Sequence, residues 1–425
     1  MQSKLYKFFT FYSKNINLFL LLAIAGGGLC GFFFPSFSHK TSGAGELFLR
    51  LLTMLIVPII VLSIISGVIN VKDSARLGEI GVKTVVYYFF TTALAVVVGL
   101  FLVNLIKPGK DYPSSKTAKS SVVSSYGLNS SQHTHSVKDI FFRMVPKNIV
   151  KAALEGNVLG LIFFSALIGI GLLKSTTENQ LSTTRSVINS LFSSTVWIVE
   201  LVMLYAPLGV FGLVASLTSK AVLEGSFYQL SSALGWYFFT VVLGLFIHGF
   251  FTLSFFLVFF KINPFKFFKA MFPALVTAFS TASSSATLPV TLESLEERAK
   301  VSKEVSGFVA PLGSTVNMDG TAIYEAVAAI FIANVYGMHL GFQEQIIVFL
   351  TATFSAVGAA SIPGAGLVMM TMVLSSVGIP LEGIKLIVVV DRVLDMLRTS
   401  VNVWGDSVGS AVIDKALKKT KKKNG

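Results

Sequence analysis

The stretch DRVLDMLRTSVNVWGD, residues 391–406, lies in a long apolar segment, yet it carries polar side chains at intervals of three and four residues. These are Asp391, Asp395, Arg398, Asn402 and Asp406. At roughly 100° per residue, all of them fall within about 80° on one face of a helix. A charged stripe on a membrane helix is costly unless it faces a cavity, a pore or a partner. Because the stripe combines oxygen ligands with a planar guanidinium, it is suited to bind a carboxylate and cations together.

The composition indicates a membrane protein. Of the 425 residues, 53% are hydrophobic and only 13% are charged, whereas a soluble domain averages about 25% charged residues. The first apolar run is too long for the core of a signal peptide, so we expect it to be retained. Cys30 is the only cysteine, which excludes a disulfide framework and a thiolate metal site. Apolar runs long enough for spanning helices lie at roughly 15–35, 47–70, 79–106, 148–174, 187–218 and 228–260.

The net charge of +13 does not indicate a nucleic-acid partner, because lysine is concentrated beside the apolar runs. The positive-inside rule makes the N-terminal lysines, the segment 261–269 and the tail 416–425 cytoplasmic anchors in the lipid bilayer. We therefore expect a multi-pass protein of the cell membrane with both termini in the cytoplasm. The basic residues within 107–147 lie outside in this arrangement, but long loops have less influence on orientation.

After residue 260 the apolar pattern breaks into shorter pieces. Two segments rich in small residues contain a central proline, TAFSTASSSATLPVT (277–291) and FSAVGAASIPGAG (354–366). Neither can form a stable uninterrupted helix, and each precedes a helix with polar residues, which is the pattern of inverted-repeat transporters. Non-helical backbone is tolerated at membrane depth only where it lines a cavity, so both breaks are expected at one internal site. Close packing of small residues between helices is the alternative.

The first polar helix, STVNMDGTAIYEAVAAIFIAN (314–334), is interrupted by Asn317, Asp319 and Gly320, followed by Thr321. Aspartate and glycine here disfavour a regular helix, so that main-chain carbonyls become free to coordinate ions. Hard cations prefer oxygen ligands, which these side chains and carbonyls supply. In a soluble protein the same motif would equally indicate a turn.

Four motifs in this order resemble those of the glutamate/aspartate:cation symporters, also called the dicarboxylate/amino acid:cation symporters. They are SSSATLPVT (283–291), NMDGT (317–321), IPGAG (362–366) and DMLRTSVNVWGD (395–406). The resemblance extends from about Asn15 to Asp414. It implies a sodium-coupled secondary transporter of L-glutamate or L-aspartate, and not an enzyme.

The resemblance implies an all-α multi-pass membrane protein with eight transmembrane helices and two re-entrant helical hairpins arranged as inverted repeats. It further implies a homotrimer, in which a transport domain of each copy moves across the membrane against a scaffold, like an elevator. The implied boundaries are 1–78 and 140–224 for the scaffold, 109–139 for an extracellular Ser-rich loop, 79–108 and 225–415 for the transport domain with hairpins at about 264–298 and 344–378, and 416–425 for a basic cytoplasmic tail.

By this resemblance, Arg398 holds the side-chain carboxylate of the substrate and Asp395 its ammonium group. A neutral amino acid would leave Arg398 unpaired, and a plain dicarboxylate would leave Asp395 without an ammonium group to bind. Neutral amino acid exchangers and four-carbon dicarboxylate carriers are thus disfavoured alternatives, and a proton-coupled glutamate carrier is a third. The other implied substrate contacts are Asn402, Thr321, Thr399, Ser283, Ser284, Ile362 and Gly366.

The resemblance also implies three sites for co-transported sodium ions. Without it, ordinary helix packing would be the preferred interpretation of Tyr88, Thr91 and Thr92. The implied ligands are Gly313, Asn317, Asn402 and Asp406 for the first site, the main chain of Thr315 and of the 356–359 segment (Ala356, Val357 and Ala359) for the second, and Tyr88, Thr91, Thr92, Asn317 and Asp319 for the third.

Glu325 lies one helical turn after Thr321. Family members that co-transport a proton have Glu at this position, and a carboxyl group in a low-dielectric environment favours its protonated form. A structural Glu with a fixed partner is the alternative. The chain also lacks the arginine that other members have at the position of Ala282 or of Met396. This departure leaves the ion stoichiometry and potassium counter-transport open.

The other polar residues of the apolar segments receive structural interpretations. His248 and Glu200 are expected to satisfy local hydrogen bonds or to face water, and Asp391 either faces the cation sites or is structural. An intramembrane aspartyl protease would use Asp391 and Asp395, but the chain lacks the Gly-x-Gly-Asp sequence and Arg398 would pair with one of the two. A pure channel would require pore symmetry and no gate hairpins.

Overall fold

A computed structural model describes residues 12, 15–38, 41–70, 78–112, 145–154, 157–358 and 364–424. Within these ranges all regular structure is helical, without strands, as the sequence predicts for fold class. Most of the Ser-rich loop lies outside the described residues, as do Ala359 and Ile362 among the predicted site residues.

The first half of the described chain forms the apolar helices expected from the hydropathy pattern. Their bounds are α1 Ile16–Phe33, α2 Pro35–Ser38, α3 Ser42–Met54, α4 Ile56–Asn70, α5 Gly78–Ile106, α6 Ile149–Leu154, α7 Val158–Ser175, α8 Glu178–Leu223, α9 Phe227–Phe246, a π-helix Ile247–Thr252 and α10 Leu253–Phe259.

The second half is divided into shorter helices, as predicted from its small residues and prolines. Their bounds are α11 Pro264–Thr281, α12 Ser284–Glu293, a π-helix Ser294–Arg298, α13 Lys303–Val316, α14 Asp319–Val335, α15 Phe342–Gly358, α16 Ala365–Ser376, a 3₁₀-helix Leu381–Gly383 and α17 Ile384–Asn424.

Within the described residues, five helical stretches are long and apolar enough to cross a membrane, namely 42–69, 79–106, 178–223, 227–259 and 303–335. Large apolar side chains such as Phe255, Phe259 and Phe265 are exposed on these and neighbouring helices, as expected of surfaces that contact lipid. Helix α8 begins at Glu178, nine residues before the predicted apolar run at 187. The prediction starts late because the first turns of this helix are polar. The side chain of Gln180 accepts a hydrogen bond from the Thr177 N–H and caps this polar start.

Close contact between α1 and α8 depends on two glycines. A Cβ atom on Gly27 would lie 2.7 Å from the main-chain oxygen of Phe211, and one on Gly31 would lie 2.5 Å from that of Ala215. The spacing of the two glycines lets the helix backbones approach closely, as small residues do in membrane bundles. Helices α3 and α4 also pack on α8, and α4 packs on α7. These helices form the first packing group.

The second packing group is centred on α14 and α17. Helix α14 packs against α5, α9 and α17, and helices α11 and α13 pack on the other faces of α17. Helix α14 is buried almost along its entire length. The polar stripe of α17 therefore lies inside the protein and not against lipid.

Two helix breaks and the start of α16 adjoin this stripe. Between α11 and α12, Ala282 has a left-handed backbone with φ of 50°, and Ser283 caps the next helix. Between α13 and α14, the extended residues Asn317 and Met318 interrupt the helix inside the NMDGT motif. Gly364, with φ of 79°, begins α16. Since α12, α14 and α16 all pack on α17, the two described breaks and the start of α16 lie around one interior region.

Candidate functional site

The five stripe residues of α17 are all buried. They separate into two clusters along the helix. The substrate cluster, as we call it, contains Asp391, Asp395 and Arg398, and the cation cluster contains Asn402 and Asp406 together with residues of α5, α13 and α14. The helix period thus places both clusters on one face, one above the other.

Arg398 is the centre of the substrate cluster and is fully buried. Its Nη2 lies 2.7 Å from Oδ1 of Asp395 and 3.3 Å from Oδ1 of Asp391. Its guanidinium carbon lies 3.8 Å from the centre of the Tyr324 ring, a cation–π contact from α14. Nε and Nη1 have no hydrogen-bond partner among the described residues. The guanidinium is therefore fixed in position while two of its donors stay free to bind a carboxylate.

Asp391 belongs to this substrate cluster. The sequence interpretation placed it either near the cation sites or in a structural role. In the structure its carboxylate contacts Arg398. Asp391 lies 11 residues before Asn402 on the same helix, a separation of about three turns or about 16 Å. Its position along the helix thus separates it from the cation cluster.

The start of α16 closes over the substrate cluster. The Gly364 N–H donates to Oδ2 of Asp395 at 3.0 Å. A Cβ atom on Gly366 would lie 2.6 Å from Nη1 of Arg398, so only glycine allows this approach. The start of α16 therefore contacts Asp395 and Arg398, the two side chains that the sequence predicts to bind the substrate.

The first break supplies Ser283 and Ser284, both of them buried. The Ser283 hydroxyl accepts a hydrogen bond from the Ala286 N–H at 3.2 Å and so caps α12. The Thr399 hydroxyl donates to the Asp395 carbonyl of its own helix at 2.8 Å. The two serines lie where α12 begins to pack on α17, and the hydroxyl groups of Ser283 and Thr399 are engaged in local hydrogen bonds.

The cation cluster begins where α13 ends. Asn317 Nδ2 donates to Oδ1 of Asp406 at 2.9 Å, and a Cβ atom on Gly313 would lie 2.4 Å from the same oxygen. Asn402 Oδ1 accepts from the Gly320 N–H at 2.7 Å, and its Nδ2 faces Thr321 Oγ1 at 3.4 Å. The helix break thus brings main-chain groups and polar side chains beside a buried carboxylate.

Asp319 is the second buried carboxylate of this region. Its Oδ1 accepts from the Thr92 hydroxyl at 2.7 Å and faces the Thr91 hydroxyl at 3.5 Å. Three of the predicted ligands of the third cation site are thereby brought together across α5 and α14. The Tyr88 hydroxyl is nearby in the same helix but donates to the Val309 carbonyl at 2.8 Å.

Sequence reasoning missed the contact between His248 and Asp319. This residue lies on the π-helix and is fully buried, with Nε2 3.0 Å from Oδ2 of Asp319. The wider π turn, which often marks functional sites, also leaves the Gly249 carbonyl to accept from Trp404 Nε1 at 2.9 Å. His248 contacts a side chain 71 residues away, so the expectation of a purely local bond or exposure to water is wrong.

The second predicted cation site is not assembled in the same way. Thr315 lies in the last turns of α13 with an exposed side chain that donates to the Leu312 carbonyl. Ala356 is buried near the end of α15, and Val357 continues that helix. Helices α13 and α15 pack on each other, but regular helical bonds engage the carbonyls of both up to their last turns.

Glu325 is fully buried on α14. Its Oε2 accepts a short hydrogen bond from the Ser355 hydroxyl of α15, and Oε1 has no partner among the described residues. Through this hydrogen bond, Glu325 connects α14 to α15, the helix that precedes the IPGAG motif.

No group of three or more His, Cys, Asp or Glu side chains forms a metal site within the described ranges. A cation bound here would rely on Asn, Thr and main-chain oxygens as well as single carboxylates.

The family model described as "Sodium:dicarboxylate symporter family" matches residues 16–416. The chain belongs to this symporter family. It is a transporter and a multi-pass membrane protein, and not an enzyme. The match covers both packing groups and both clusters on α17.

Curated relatives agree with this assignment. The symporter is 37% identical to an excitatory amino acid transporter of Caenorhabditis elegans, over 93% of this chain and 87% of the relative. It is also 37% identical to excitatory amino acid transporter 3 of Mus musculus, over 88% of this chain and 79% of the relative. Excitatory amino acid transporter 2 of Homo sapiens is 37% identical as well, over 93% and 78% of the two chains.

Proposed function

We propose that the protein is a sodium-coupled symporter that takes up the acidic amino acids L-glutamate or L-aspartate. The observation that carries this proposal is the buried Arg398, held between two aspartates and Tyr324 with two donors unpaired. The unpaired N–H groups of this guanidinium can bind the side-chain carboxylate of the substrate. The relatives named as excitatory amino acid transporters support the same substrate class.

Sodium is the proposed coupling ion. Asp319 and Asp406 are buried carboxylates whose hydrogen-bond partners are neutral hydroxyl and amide groups or an imidazole. Burial of two anions is costly without compensating cations. The Gly320 N–H of α14 donates to Asn402 of α17, and Gly320 also packs against the main chain of Arg398. Through these contacts, cation binding would favour the arrangement that binds substrate. By linkage, substrate binding would then favour cation binding.

The transport motion proposed here is an elevator. The first packing group (α1, α3, α4, α7 and α8) would be the scaffold, and the group around α14 and α17 would be the transport domain. The two groups meet where α16 contacts α3 and α4 and where α8 contacts α17. Three copies would assemble through the scaffold as a homotrimer in the cell membrane, with both termini in the cytoplasm. The native mass of the purified protein in detergent tests the trimer.

A proton is proposed as an additional co-transported ion, carried by Glu325. A buried carboxyl group without a cationic partner favours its neutral form, and Ser355 is its only hydrogen-bond partner among the described residues. The position between α14 and the helix that precedes the second break would couple proton release to movement of that segment.

Uptake into proteoliposomes tests the function directly. Purified protein is reconstituted, and uptake of radiolabelled L-aspartate and L-glutamate is measured with sodium, proton and potassium gradients imposed one at a time. We expect accumulation that requires an inward sodium gradient and increases with an inward proton gradient. Accumulation with a proton gradient alone would favour the proton-coupled carrier, and substrate-independent ion flux without accumulation would favour a channel. The potassium arm decides whether potassium is counter-transported.

A further inference from the structure

Arg392 lies off the polar stripe, next to Asp391 on α17, yet its side chain is 4% exposed. Its Nη1 lies 3.2 Å from Oδ2 of Asp395, three residues further along the helix. Nε and Nη2 have no hydrogen-bond partner among the described residues. The substrate cluster therefore contains a second buried arginine that the polar periodicity does not reveal.

Asp395 is already compensated by the protein. Its Oδ1 accepts from Arg398 at 2.7 Å, and its Oδ2 accepts from Arg392 at 3.2 Å and from the Gly364 N–H at 3.0 Å. A carboxylate has about four acceptor positions, so three of them are used, two by cationic groups. Asp395 consequently does not depend on the ammonium group of a substrate to balance its charge.

Among the described residues, Asp395 is the anionic group that forms an ion pair with Arg392. Arg392 lines a cavity of about 20 Å³ between α17 and the helices α1, α3 and α8, together with Ile24, Phe48 and Met203. Apart from Asp391 and Asp395, the side chains that line this cavity are apolar. Asp391 is in contact with Arg398. The guanidinium of Arg392 is thus directed to Asp395.

We propose that Arg392 is a specificity-determining residue that lets the site bind dicarboxylates without an ammonium group as well as acidic amino acids. This inference rests on the proposed function. When a ligand carboxylate pairs with Arg398, Asp395 keeps Arg392 as its cationic partner, so an amine-free ligand leaves no buried carboxylate uncompensated. An ammonium group instead competes with Arg392 for Oδ2 of Asp395. Arg392 therefore weakens the preference for an ammonium group that Asp395 alone would create.

L-Aspartate and succinate form the matched pair of ligands, because they differ only in the ammonium group. Their dissociation constants are measured on the purified full-length protein at saturating sodium, by calorimetry or by competition with radiolabelled L-aspartate. We expect the wild type to bind both ligands. In Arg392→Gln the ratio of the succinate dissociation constant to the aspartate dissociation constant should increase by about tenfold or more. Without Arg392, the ammonium group of L-aspartate can still compensate Asp395, whereas succinate has no cationic group to do so.

Two variants serve as controls. Arg298→Gln removes an exposed arginine that lies 3.8 Å from Glu293, and its ratio should equal that of the wild type. Arg392→Lys keeps the charge, and its ratio should stay close to that of the wild type. A merely structural role of Arg392 would change both affinities together and leave the ratio unaltered.

An unchanged ratio in Arg392→Gln overturns the inference, and so does a wild type that binds L-aspartate but not succinate. The wild-type result decides alone if Arg392→Gln does not fold. A wild type that binds neither L-aspartate nor L-glutamate in sodium contradicts the proposed function instead, so the two failures are distinguishable.

Discussion

The two ends of the polar stripe on α17 differ in the groups that compensate their buried carboxylates. In the substrate cluster, each carboxylate contacts an arginine, and Asp395 contacts two. In the cation cluster, the partners of Asp319 and Asp406 that the structure describes are hydroxyl, amide and imidazole groups. The first end is balanced by the protein itself, while the second has an excess of acceptor oxygens. The same helix therefore has one end suited to exchange partners within a charge pair and another end suited to take up cations.

The largest effect is expected when the central cation of the substrate cluster is removed. Arg398→Ala should abolish measurable binding of acidic amino acids, because loss of one partner of a buried charge pair costs about 2–5 kcal/mol. Neutral amino acids such as serine are expected to bind in its place. Binding of L-aspartate, L-glutamate and L-serine at saturating sodium is the measurement, with Arg298→Ala as the exposed control. Unchanged affinity for acidic substrates would show that Arg398 does not bind their carboxylate.

Neutralising the unbalanced end should instead affect the ions. Asp319→Asn and Asp406→Asn are expected to reduce the dependence of substrate affinity on sodium, by roughly 1–3 kcal/mol of coupling energy. Calorimetric titrations across a series of sodium concentrations measure this slope. Asp414→Asn is the matched control, because Asp414 is buried on the same helix but pairs with Lys418 and Ser302. A slope equal to that of the wild type in both variants would exclude the two carboxylates as sodium ligands.

A smaller effect on the same end is expected from His248, which lies 3.0 Å from Asp319 and forms no hydrogen bond with the other predicted ligands that the structure describes. His248→Leu removes the contact to Oδ2 of Asp319 and should weaken sodium affinity by about 10- to 100-fold, as loss of an outer partner of a metal ligand does. Substrate affinity at saturating sodium should remain. His339→Leu, at an exposed position, is the control. Equal losses with and without saturating sodium would indicate a defect in folding.

The smallest effect on binding is expected at Glu325, which joins neither cluster. Glu325→Gln keeps the hydrogen bond to Ser355 but cannot carry a proton, so exchange of internal for external substrate should persist. Net uptake should lose its increase with an inward proton gradient. Proteoliposomes with an internal pH-sensitive dye measure both, with the exposed Glu304→Gln as control. Absence of substrate-dependent acidification in the wild type would remove the proton from the mechanism.

The sequence predicts those parts of the site that follow a helix period or an irregular motif. The stripe of α17 is visible because its residues recur every three or four positions, and the break at Asn317 is visible because Asp and Gly interrupt an apolar run. His248 is not predictable in this way, since its partner lies on another helix. Arg392 is missed because it lies off the stripe, and only its long side chain brings its charge back to Asp395.

Helix α8 is longer than a single crossing of the membrane requires. Its 46 residues, at 1.5 Å each, extend about 69 Å, roughly twice the thickness of the hydrocarbon core of a bilayer. Its polar first turns therefore extend beyond the membrane or the helix is steeply inclined. In the proposed elevator motion, the apolar part of α8 that follows these turns would offer the neighbouring α17 a surface longer than a single membrane crossing.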